Sequence, residues 1–148
     1  VEGMTKAKGV EGVQQDGCKA VRFLMRYDGG NKGVGMEVGD VVLSAMRAFP
    51  HNEEVQQNGC SAITNLALND DNQVVLMKAG AGDVVLSAMR AFPRSEKVQE
   101  NGYYAILKLA FKNAANKNSL VLKGALQVVE NARKEFPENS WTKTSFLT

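Results

Sequence analysis

Residues Gly39-Asp-Val-Val-Leu-Ser-Ala-Met-Arg-Ala-Phe-Pro50 recur without a single change as Gly82-Asp-Val-Val-Leu-Ser-Ala-Met-Arg-Ala-Phe-Pro93. The shift of 43 also carries Val55-Gln-Gln-Asn-Gly59 onto Val98-Gln-Glu-Asn-Gly102. An earlier copy, Val13-Gln-Gln-Asp-Gly17, lies 42 residues before Val55, and Phe136-Pro137 follows Phe92-Pro93 by 44. A self-copy at such a period marks a chain that stacks one helical unit on the next and acts through the surface of the stack.

Each unit divides into three helical pieces. The first is short, Asn72 to Gly80, echoed by Asn116 to Gly124 and by Asn31 to Gly39, with the terminal glycine expected as its stop. The second is expected to start at an N-cap, Asp40 or Asp83, and to end at Phe-Pro, because proline disfavours a helical residue before it. Val42, Met46 and Phe49 give it one apolar stripe.

The third helix has the most regular stripe. Val55, Gly59, Ala62, Ile63 and Leu66 recur as Val98, Gly102, Ala105, Ile106 and Leu109, and earlier as Val13, Gly17, Ala20, Val21 and Leu24. Periodicity held through three copies predicts a helix packed on its neighbours. The glycine inside it costs about 1 kcal/mol relative to alanine in a helix, so close approach of another helix is expected there.

This pattern, from Asn72 through Ala110, resembles the armadillo repeat, close kin of the HEAT repeat. The resemblance implies an all-α, right-handed superhelical solenoid in a single repeat domain. Its parts would be a partial repeat at 1–30, repeats at about 31–69 and 70–113, and a partial C-terminal repeat at 114–148. It also implies that third helices line a concave groove that binds extended peptides. The outer face of those helices carries Lys19, Arg22, Phe23 and Arg26 in the first copy. Ser61, Thr64 and Asn65 follow in the second, and Tyr104, Leu107 and Lys108 in the third. From these the expected peptide-binding residues are Lys19, Arg22, Phe23, Arg26, Ser61, Asn65, Tyr104 and Lys108. Amides at Gln57, Asn58, Asn65 and Asn101 are expected to pair with the backbone of the bound chain, the basic groups with acidic side chains. Leu68, Leu107 and Phe111 are expected to be covered by the adjacent unit. Importin-type members use Trp with Asn four residues on; of the pairs Lys19 and Phe23, Ser61 and Asn65, Tyr104 and Lys108, only Asn65 matches, so import-signal recognition is not expected.

Bulk properties narrow the function further. A net charge of +2 over 148 residues argues against nucleic acid as partner, and no apolar run approaches the ~20 residues of a membrane span. Cys18 and Cys60, with His51 the only histidine, are too few for a disulfide framework or a metal site, so a reducing, cytoplasmic setting, with the nucleus as variant, is expected. No cofactor is expected, since the glycines from Gly33 to Gly39 lack both the spacing and the preceding strand of a dinucleotide loop. Asp70, Asp71 and Asn72 allow either a Ca²⁺ loop or helix capping, with capping preferred. Without a nucleophile beside a base, the chain reads as a non-enzymatic interaction module, the alternative being a regulatory repeat segment of a larger signalling enzyme. The tail around Trp141 either folds back over the last unit or is equally a point at which a longer chain was cut, and apolar solenoid ends are an expected route to self-association.

Overall fold

The computed structural model describes Gly17 and residues 35–145. Among these every regular element is helical. Helix α1 spans Gly35–Ala48 and α2 Glu53–Leu66. The next unit is α3 Asp70–Lys78, α4 Ala81–Ala91 and α5 Glu96–Ala110. The last comprises α6 Ala114–Leu122, α7 Ala125–Glu135 and a 3-10 turn at Ser140–Lys143. No helix among the described residues is long and apolar enough to cross a membrane.

Both expected stripes face inward. Val42 and Met46 on α1 are buried, as are Val55, Ala62, Ile63 and Leu66 on α2 and Val98, Ala105, Ile106 and Leu109 on α5. The third helices α2 and α5 pack along each other more extensively than any other pair. The glycine in each stripe is required by the second helix of its own unit. A Cβ on Gly102 would lie 2.5 Å from Met89 Cγ, and one on Gly59 equally close to Met46 Cγ.

The break between first and second helices depends on a left-handed glycine, and this corrects two expectations. Gly80 and Gly124 take φ of 94° and 91° and N-cap α4 and α7 by backbone alone. Asp83 therefore sits in the first turn of α4, where its carboxylate faces Lys123 Nζ at 3.0 Å, and it caps nothing. In the preceding unit the residue 43 before Gly80 is Glu37, which does not favour positive φ, and the helix runs unbroken through Gly39 and Asp40. Gly39 is thus no stop and Asp40 no cap. It aligns with Gly82, and each receives a leucine from the next unit's first helix: added Cβ atoms would meet Leu76 Cδ2 at 2.8 Å and Leu120 Cδ2 at 3.0 Å. The equivalent residue of α7 is Leu126, exposed, so α7 offers no such seat.

Polar side chains close the helix ends, each with a repeated assignment. Gln56 Nε2 donates to the carbonyls of Met46 and Phe49, and Gln99 Nε2 to those of Met89 and Phe92. These carbonyls have no helical partner once Phe-Pro ends the second helix. Arg47 Nη2 donates to Ala79 O at the end of α3, and Arg90 Nη2 to Lys123 O just past α6, so each second helix caps the first helix of the following unit. Asn72 Nδ2 reaches Leu66 O, and Asn116 Nδ2 reaches Leu109 O and Gln73 O. The units are therefore joined by hydrogen bonds to buried or terminal backbone as well as by core packing.

The tail folds over the last unit, the first of its two readings. Trp141 is buried, its ring 5.6 Å from that of Tyr103 and 6.2 Å from that of Phe136. Arg133 Nε donates to Thr142 O at 2.8 Å, and Tyr103 donates its hydroxyl to Thr144 O. Asn139, which N-caps the 3-10 turn, donates to Glu96 Oε1, as Ser95, the cap of α5, donates to Glu53 Oε1 one unit earlier.

Candidate functional site

The face of α2 and α5 turned from the core is the candidate site. Its placement follows from the stripes: once Val55, Ala62 and Leu66 point inward, Ser61 and Asn65 come to the opposite side, partly exposed. One unit on, Tyr104 and Lys108 hold the equivalent positions, Tyr104 exposed and Lys108 half-buried. The side-by-side packing of α2 and α5 brings these four together as one surface. Lys19, Arg22, Phe23 and Arg26, the basic part of the expected site, lie outside the described residues.

The expected ladder of amides is corrected. Asn58 is only 1% exposed, so no extended chain reaches it. Asn101 Nδ2 donates to Gln57 O at 3.2 Å, a bond that ties α5 to α2. Thr64 turns its hydroxyl back to Cys60 O within its own helix. Asn101, one residue off the stripe's centre line, falls into the seam between α2 and α5, where its amide is paired. Asn101 is thus engaged by the neighbouring repeat, and Asn58 is enclosed with its Nδ2 lacking a hydrogen-bond partner among the described residues.

The surface that remains is apolar and basic. Leu107 packs on the core as expected, but Leu68 is 47% and Phe111 51% exposed, contrary to the expectation that the adjacent unit covers them. Both sit at or just past the C-terminal cap of their third helix. Lys108 Nζ lies 5.5 Å from the Phe111 ring centroid and Lys112 Nζ 5.3 Å, both within cation–π range. Lys112 escaped the sequence reading. Its signal was the drift of the repeat from 43 to 44 residues.

Other candidates resolve into structural roles. The cap of α3 is Asn69, whose side chain accepts from Asp71 N–H, while Asp70 and Asp71 occupy the first turn. Asn72 is turned inward to Leu66 O, so it does not join the two aspartates as a ligand set. His51 stands exposed in the loop between α1 and α2. It borders a groove of about 450 Å³ between α1 and α4, on the side of the second helices, lined also by Met46, Arg47, Pro50 and Ser87.

Cys60 is wholly buried, and loss of hydration pushes its thiol from the ordinary 9.0 up to about 12. A folded-state value raised in this way leaves its contribution to stability intact below pH 9.0 and removes it as pH climbs towards 12, because only the unfolded chain ionises in that window. Relative to a Cys60→Ala variant, the wild type should lose about 1.4 kcal/mol of unfolding free energy per pH unit in that range. Urea titrations of both proteins between about pH 8 and 11 check this; parallel pH curves would show that the thiol is hydrated.

The geometry is that of a stacked three-helix repeat with a solvent-facing third helix, and it agrees with what comparison finds. No curated protein and no solved structure matches the chain. A family model described as the LRRK2 ARM repeat matches residues 1–148, the whole of the sequence. The chain belongs to this armadillo-repeat family.

Proposed function

We propose that the chain is a non-enzymatic interaction module that holds an extended segment of a partner protein along the concave face formed by α2 and α5. The observation that carries this reading is the exposure of Tyr104, Leu68 and Phe111 on the third helices and the turns that end them; Val74, Leu122 and Leu126 are exposed as well, but on first and second helices. Contiguous apolar surface left in water marks an interaction site more often than it marks chance. Around it stand Ser61, Lys108 and Lys112, so the partner meets aromatic anchors with a basic rim, and an acidic segment is the complement.

Tyr104→Ala combined with Lys108→Glu is expected to remove proteins that wild type retains on affinity purification, by about tenfold or more in quantitative mass spectrometry. Ser44→Arg combined with Ser87→Arg, exposed on second helices, should leave them in place. Equal retention by all three proteins, each verified as folded by circular dichroism, would overturn the reading. A second reading, a regulatory repeat segment of a larger signalling enzyme, is favoured by the match to a family described as the repeat of another protein. Sequencing of the full transcript, with a catalytic domain in the same frame, is its test.

A further inference from the structure

At the end of α5 the chain departs from its own repeat. Leu109 follows Leu66 by 43 residues, whereas Asn113, the N-cap of α6, follows Asn69, the N-cap of α3, by 44. One additional residue is therefore accommodated between them. The backbone takes it up by leaving the helix at Phe111, with ψ at 120°, and by placing Lys112 at φ 52°, a left-handed conformation that L side chains enter at a cost. The earlier unit turns the same corner with Ala67 in the right-handed region and no residue to spare.

The detour has a chemical result. It leaves the Phe111 ring half in water, at the repeat position equivalent to the exposed Leu68, and sets Lys112 as well as Lys108 beside the ring. Among the described residues neither ammonium group has a carboxylate partner within ion-pairing distance. The acids that begin the preceding unit's first helix, Asp70 and Asp71, have Ala114 and Ala115 as their counterparts beside this corner. Phe111 is thus flanked by two uncompensated positive charges, with Leu68 exposed at the equivalent position one unit earlier.

We propose that this rim, Leu68, Lys108, Phe111 and Lys112, seats a short acidic segment of a partner protein in which one large apolar side chain is flanked by carboxylates. The apolar group covers Leu68 and the edge of Phe111, and the carboxylates take the two ammonium groups. The proposal rests on the reading that α2 and α5 bind a partner segment, and it names the chemistry at one end of that surface. A polyanion satisfies only half of the site, because phosphates leave Leu68 and Phe111 uncovered and two lysines release few counterions.

The test is fluorescence anisotropy with a dye-labelled peptide of about twelve residues, a single phenylalanine within a glutamate-rich sequence. Beside it stand the same peptide with alanine for phenylalanine and one with lysine for each glutamate. The acidic phenylalanine peptide is expected to bind wild type, and each altered peptide at least about tenfold more weakly. Phe111→Ala should weaken binding by about tenfold or more, and Lys108→Glu with Lys112→Glu by more than that, while the doubly reversed protein gains affinity for the lysine peptide. Lys112→Gly, which relieves the left-handed strain, keeps the fold and shows the loss that belongs to charge. If Tyr104→Ala weakens the acidic peptide while the Phe111 and lysine variants do not, the rim proposal is overturned and the broader surface stands. If only an oligonucleotide or phosphatidylserine vesicles bind in a Phe111-dependent way, it is overturned as well.

Discussion

Replacing Tyr103 with alanine is expected to lower the stability of the C-terminal unit by about 3–5 kcal/mol, the usual cost of deleting a large buried aromatic. Tyr103 has no exposed surface and stands where the preceding unit has Cys60, so its ring fills space that a regular third helix of a further unit would otherwise occupy. It is also the floor on which Trp141 lies and the donor to Thr144 O that holds the tail down. Truncation removes ring contacts on both sides and leaves Trp141 over a cavity. Tyr103→Phe, which keeps the ring and loses the hydroxyl, should cost only about 1 kcal/mol. Urea unfolding followed by the emission of Trp141, the chain's one tryptophan, reports directly on this contact. A loss below about 1 kcal/mol for the alanine variant would mean that the tail is not a functional cap.

The second large effect is expected at Gly102. Helix propensity alone favours alanine over glycine there by about 1 kcal/mol. Against that gain stands the overlap of the new methyl with Met89 Cγ and Sδ, which lie 2.5 and 2.7 Å from its position. Those atoms belong to the middle of a buried side chain and have little room to move, so overpacking of about 1–3 kcal/mol should prevail. Gly102→Val should lose more than Gly102→Ala. Met89→Ala should cost about 2–5 kcal/mol by itself, yet combined with Gly102→Ala it should cost about 1 kcal/mol less than the sum, since the added methyl enters the vacated space. Strict additivity in that double-mutant cycle would refute the close contact between second and third helices.

Features that act over one helical period were legible from sequence. The stripes of α2 and α5, the Phe-Pro exits and the internal glycines each carry their signal within about eleven residues, and all three fell where periodicity placed them. What was not legible depends on partners one unit away. Gly39 and Gly80 look alike in sequence, but only Gly80 holds the positive φ that separates two helices; aligned on the structure, Gly39 is the seat of Leu76. Asp40 and Asp83 have the chemistry of caps, yet α1 runs through one and Gly80 makes the other unnecessary.

The same distinction governs the site. The outward placement of Ser61, Tyr104 and Lys108 was legible because they lie opposite the stripe. Asn58 and Asn101 were misread because a helical wheel shows one helix, whereas Asn58 is buried and Asn101 lies in the seam between two helices. The exposed pair Leu68 and Phe111 was assigned to the neighbouring unit for the converse reason, since nothing local says where the packed stretch of a third helix ends. Lys112 was present only as a change of one in the repeat length. Its effect, a left-handed residue that turns Phe111 outward, needs the backbone to be seen.

The proposal that a divergent third-helix layer binds while a duplicated second-helix layer supports it is tested most directly by site-specific photo-crosslinking in cells. Benzoylphenylalanine is placed at Tyr104 on the third-helix face in one sample and at Ser87 on the second-helix face in another, both exposed positions. A discrete adduct with a partner protein from the first position, absent from the second, is the predicted result. Adducts from Ser87 alone would contradict it and move the binding surface to the groove between α1 and α4.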